Sequence, residues 1–107
     1  NVPVQQRQVG TYFAFAFEQL TVTTAVQVLT PATYVSGSKK AQIAFITVED
    51  TDIRYTYDGT TPTGTLGHMA TAGTAITLFG THDIENFKAF RDSGAGADST
   101  ISVTYEG

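Results

Sequence analysis

Apolar and polar side chains alternate with a period of two along most of this chain. From Tyr12, the run "YFAFAFE" sets Phe13, Phe15 and Phe17 on one face and Ala14 and Ala16 on the other. That spacing predicts a strand, and three Phe side chains mark their face as core. "LTVTTAVQVLT" continues with Leu20 and Val22, then Val26 and Val28, and a phase break near Thr24 and Ala25 predicts a bulge or short turn. "AQIAFITVE" at 41–49 is apolar on both faces, as expected of a central strand covered on both sides. In "IRYTY", Ile53, Tyr55 and Tyr57 share a face while Arg54 and Thr56 point the other way. Further strands are predicted at "AITLF" (75–79), at "FKAFRD", and at "TISVTY" (100–105), where Ile101, Val103 and Tyr105 share a face.

The connections carry turn chemistry. "PATYVSGSKK" holds Pro31, Gly37 and paired lysines and reads as a loop; "GHMATAG", with His68, reads as another. "THDIENF" offers a Thr or Asp cap followed by Ile84 and Phe87 three apart, which predicts one helical turn. "SGAGAD" reads as a flexible turn. The first segment, "NVPVQQRQVG", has little periodicity and reads as an extended arm over residues 1–10, leading into one domain over 11–107. It lacks the basic, apolar and small-residue layout of a signal peptide, and Asn1 in place of Met leaves room for residues before it. Short strands separated by turn signals predict an all-β fold: a small antiparallel β-sandwich or barrel of seven to eight strands with an extended N-terminal arm.

Composition agrees with that class. Thr, Val, Ile, Phe and Tyr are plentiful and suit a pleated surface, whereas strong helix formers are sparse. The 107 residues suffice for one core, and 41% hydrophobic with 15% charged residues argues against disorder. A net charge of −4 argues against a protein that grips nucleic acid through its phosphates. No apolar run approaches the roughly 18 residues of a membrane span. Cysteine is absent, which excludes disulfides, thiolate metal sites and a Cys nucleophile from these residues.

Candidate chemistry is thin. His82, with Asp83 and Glu85 close by, has the residue types of a metal site or a general base, but no metal-ligand spacing accompanies it, and a capping or surface role suits it better. "EDTD" at 49–52 clusters acids without the Asp-x-Asp-x-Asp-Gly ladder of a calcium loop, so a solvated turn is expected. "SGAGAD" precedes a strand rather than a helix and offers no phosphate cradle. These readings predict a protein that is not an enzyme, with no cofactor and no catalytic or metal-binding residues.

The stretch "YDGTTPTGTL" asks whether it is a site or a corner. Asp58-Gly59 is a turn pair, Pro62 fixes φ, and Thr60, Thr61 and Thr63 can bond nearby backbone groups. The first reading is a rigid, self-satisfied corner; the second is a binding loop. "YTYDGTTPT" also resembles a strand-turn segment of immunoglobulin-like domains appended to chitobiase-type enzymes and other secreted glycosidases.

A wider resemblance covers the C-terminal two-thirds. Val48-Glu49, Ile53 to Tyr55, Asp58 to Thr63, Gly67-His68, Ile76 to Leu78, Ile84 with Phe87, Ala89 and Arg91, and Val103 to Tyr105 follow a common rhythm. In that rhythm the chain resembles small β-sandwich proteins encoded among the virion genes of tailed bacteriophages. It departs at "FKAFRD", where relatives more often read "FRAIR", and the arm lies outside the pattern. The resemblance implies a virion structural component, a capsid decoration or cement protein on the head surface. Its implied partner is the major capsid protein or another virion subunit, and its implied state a homo-oligomer, a trimer being one form suited to a symmetry axis. A tail or neck component and a carbohydrate-binding, tail-fibre-like module are the alternatives. Within the arm, Val2, Pro3, Val4 and Val9 offer apolar contacts and Arg7 a charge for an acidic partner, with a loose chain end as the plain alternative.

Overall fold

The computed structural model describes residues 12–107. The expected contacts of Val2, Pro3, Val4, Arg7 and Val9 therefore lie outside the described residues. The described chain is all-β, with two short helices. Its strands are β1 (Ala14–Val22), β2 (Gln27–Val28), β3 (Val35–Ser36), β4 (Lys39–Lys40), β5 (Ile43–Val48), β6 (Ile53–Thr56), β7 (His68–Ala70), β8 (Ala75–Phe79), β9 (Lys88–Arg91) and β10 (Ser99–Glu106). The helices are α1 (Pro31–Tyr34) and α2 (Thr81–Asn86).

Two four-stranded antiparallel sheets form the body, one ordered β1-β10-β5-β8 and the other β2-β9-β6-β7, with β3-β4 as a small hairpin. One core joins their inner faces. Ala44, Ile46, Val48, Ile101, Val103 and Tyr105 come from the first sheet, and Ile53, Ala70 and Ala89 from the second. Strict alternation explains the first group: every second residue of β10, from Ser99 to Tyr105, is buried. Ile84 of α2 and the following Phe87 are also buried, so the predicted helical turn closes one end of the core.

Several expectations need correction. Phe13 and Phe17 are exposed rather than core. The register between β1 and β10 shifts between Ala14 and Ala16, and this irregularity reverses the parity of the strand. Beyond it Ala16, Leu20 and Val22 turn toward the core, while Phe17 and Gln19 turn out. The phase break at Thr24 is a bend that carries the chain from the first sheet to the second. Beyond it Val26 and Val28 are exposed.

β5 is central in its sheet, but only one of its faces is covered; Phe45 remains 43% exposed. The segment 31–40 is more ordered than a loop, with α1 followed by the β3-β4 hairpin around Gly37 at φ 62°. His68 begins β7 instead of lying in a loop. The residue that caps α2 is Gly80, and no side chain makes a capping hydrogen bond there.

Candidate functional site

The corner after β6 is self-satisfied, as its residues predict. Asp58 Oδ1 accepts the Thr60 N–H at 3.0 Å, and Gly59 takes φ 93°. Thr63 Oγ1 accepts the N–H groups of Thr65 and Leu66, and Thr63 N–H donates to Leu66 O at 3.1 Å. Thr56 Oγ1 donates to Thr60 O, Lys88 Nζ donates to Gly59 O at 3.0 Å, and Pro62 is buried. Arg54 ties the corner to the loop after β9: Nη1 donates to Gly67 O at 3.2 Å and Nε to Asp92 Oδ1 at 2.7 Å. Asp92 Oδ2 accepts the Gly94 N–H at 2.9 Å. The Arg54 hydrogen bond, then the Gly94 N–H, hold the Asp92 carboxyl below its ordinary value.

Beside the corner stands a group of rings. Tyr55 stacks on buried Phe87 at 5.8 Å, while Tyr57 stacks on His68 at 5.9 Å and on Tyr55 at 6.4 Å. The two tyrosines share a face, but they divide in role. Tyr55 packs against the core, and Tyr57, beyond the end of β6, is 42% exposed. Burial, then the neighbouring Tyr57, push the Tyr55 phenol up. An open depression of about 390 Å³ is lined by Thr56, Tyr57, Asp58, Thr60, Leu66, Gly67 and His68. The Thr60 N–H is the first cause holding the Asp58 carboxyl below its ordinary value, so it is a carboxylate at neutral pH. The corner therefore also lines a hollow together with the rings of Tyr57 and His68. Sequence reasoning missed His68 as a partner of Tyr57, and only the pairing of Tyr55 with His68 across β6 and β7 reveals it.

The other sequence candidates are dispersed. The His82 side chain is 83% exposed and lies 3.7 Å from Asp83. In "EDTD", Asp52 Oδ1 accepts the Ala72 N–H at 3.1 Å, and Glu49 accepts from Ser102 Oγ. Among the described residues, no group of three or more His, Cys, Asp or Glu stands together as a metal site.

A second open feature is the outer face of the first sheet. Register brings Phe17, Thr104, Phe45 and Thr77 into one row across it, and Glu106, Ile43 and Phe79 into the next. Gln19, Ser102, Thr47 and Ala75 make a third. Phe17 is 60% and Phe79 68% exposed. The rings of Phe17 and Phe45 stand two strand spacings apart, about 10 Å. Three exposed Phe stand on this face among hydroxyls and the carboxylates of Glu106 and Glu49, and exposed large apolar side chains grouped on one face mark a candidate interaction surface. The sequence signal was present in the unbroken apolar pattern of β5, which predicted cover on both faces without naming what provides it.

No family model, curated protein or solved structure matches this chain.

Proposed function

We propose that this protein is a non-enzymatic structural component of a tailed-bacteriophage virion, a capsid decoration or cement protein that binds the major capsid protein and stabilises the head. The observation that carries the reading is the open face bearing Phe17, Ile43, Phe45 and Phe79. A protein that reinforces a shell needs wide, shallow contact and no reactive group, and a four-stranded sheet whose outer side bears three exposed Phe among mostly uncharged residues offers that. The sequence likeness to virion β-sandwich proteins supplies the assembly. The arm adds area through Val2, Pro3, Val4 and Val9, and Arg7 adds a charge, by addition of an extended segment to a neighbour's strand edge.

The test is a reconstruction of the intact phage particle. Density for this fold on the head surface, with the first sheet facing the capsid subunits, is the expected result. Density at the neck or tail alone, or a particle without the protein, overturns the head assignment. In reconstitution, Phe45→Ser combined with Phe17→Ser should lower occupancy on purified shells while the domain stays folded. Deletion of residues 1–9 separates the arm's share from that of the face.

The Tyr57 hollow favours a second reading, a carbohydrate-binding module. An exposed ring beside a carboxylate and threonine residues offers a sugar ring a face to stack on and groups to hydrogen-bond. Signal on a glycan array that disappears with Tyr57→Ala supports it; an array without signal above background removes it.

A further inference from the structure

β8 ends its sheet and has no second strand neighbour among the described residues. On its paired side, Val48 N–H donates to Thr74 O at 2.9 Å, and Gly73 N–H donates to Val48 O at 2.7 Å. Carried along the register, that alternation makes Ile46↔Ile76 and Ala44↔Leu78 the pairs that exchange hydrogen bonds with β5. The N–H and C=O groups of Ala75, Thr77 and Phe79 then point outward along the edge. Open edges are normally guarded by Lys, Pro or a bulge. "AITLF" has none of these, and its register with β5 is regular. The other edges are poorer templates. β1 has the irregularity between Ala14 and Ala16, while β2 and β7 have two and three residues. A groove of about 310 Å³ runs along β8, lined by all five of its residues together with Tyr55, Tyr57 and Asp83.

We propose that β8 pairs antiparallel with β8 of a second copy of this chain, about a two-fold axis through Thr77. The strand is self-complementary in this register. Ala75 meets Phe79 of the second copy, Ile76 meets Leu78, and Thr77 meets Thr77. The first and third of these are the positions whose backbone groups point outward, so hydrogen bonds form where donors and acceptors stand free. Small meets large on the outer face, two aliphatic side chains meet on the inner face, and Thr meets Thr on the axis, a favourable cross-strand pair. No charge within the strand opposes its copy. The product is a continuous eight-stranded sheet whose outer side joins two sets of exposed Phe. A five-residue edge is smaller than the roughly 800 Å² per partner of a standard interface, so the pairing is concentration-dependent. It rests on the geometry of the edge and is independent of the capsid reading.

The test is sedimentation velocity on the free protein over a wide range of concentration. A monomer–dimer equilibrium without larger species is expected. Thr77→Lys sets like charges across the axis and leaves the β5 hydrogen bonds intact, so it should weaken dimerisation about tenfold or more. Near-ultraviolet circular dichroism checks that the variant is folded. Because the chain has no cysteine, Thr77→Cys supplies a unique thiol. Opposite residues of an exchanging antiparallel pair lie about 5.5 Å apart at Cα, within disulfide range. Oxidation should therefore link this variant into a dimer much faster than Thr21→Cys on the same face. A monomer at every concentration, a dimer that Thr77→Lys leaves unchanged, or equal cross-linking of the two thiol variants overturns the proposal.

Discussion

Glu18 satisfies two groups at the margin of the core. Its Oε2 accepts the hydroxyl of fully buried Tyr105 and the Thr30 N–H at 3.2 Å. Glu18→Ala leaves both donors without that partner, and a buried unsatisfied group costs about 1–3 kcal/mol. Tyr105→Phe removes the donor together with its need and should cost less, about 1 kcal/mol. Urea denaturation of the two variants measures the difference; equal losses would mean that leaving the Tyr105 and Thr30 donors without the carboxylate adds no cost of its own. Asp92 gives a pH dependence with a defined sign. Its folded value lies below the ordinary 3.8, chiefly through Arg54. Its contribution is therefore present above 3.8 and is lost as pH falls through the depressed folded value. Asp92→Asn should lower stability at neutral pH and flatten the acid limb of a stability-against-pH profile. A limb as steep as that of the parent protein would place the acid sensitivity elsewhere.

At the scale of elements, the β6-corner-β7 unit depends on Gly67. Its φ is 126°, and a Cβ there would lie 3.1 Å from Tyr55 O and 3.2 Å from Tyr55 N. Both the backbone angle and the close approach favour glycine. Gly67→Ala should cost about 1–3 kcal/mol and disturb the Tyr57–His68 stack; denaturation together with the tyrosine near-ultraviolet signal checks it. An unchanged midpoint would show that the corner can relax. Much of this element was legible in the sequence, because Asp58, Gly59, Pro62 and Thr63 act through local bonds that their own chemistry specifies. β10 was legible for a similar reason, since unbroken alternation fixes its buried face. The exposure of Phe17 was not legible. A register shift of this kind reverses every later side chain, and the partner strand that reveals it lies more than eighty positions away. β7 was hidden as well: three residues after Gly67 become a strand only when β6 supplies a ladder.

At the scale of the whole molecule, magnitudes decide what the outer face can do. Each half-exposed Phe offers roughly 100 Å², so Phe17, Phe45 and Phe79 together are worth roughly 7 kcal/mol on burial at about 25 cal/mol per Å². Association costs about 4–15 kcal/mol in lost freedom, so three rings make one copy a weak adhesive. Joined copies that engage several sites at once bind far more tightly without any new contact. The outward positions of this sheet are mostly uncharged Thr, Ser, Gln, Ile, Ala and Phe, with carboxylates at Glu106 and at Glu49 beside Ser102, although the protein carries −4 overall. Attachment through this face should therefore persist in 1 M salt, where screening reaches about 3 Å, and should weaken on cooling as the hydrophobic term fades. Attachment governed by Arg7 of the arm would instead fall as salt rises. Co-sedimentation with purified shells across a salt series, for the full chain and for the chain without residues 1–9, separates the two. Full release at high salt from both forms would mean that the apolar sheet is not the adhesive surface.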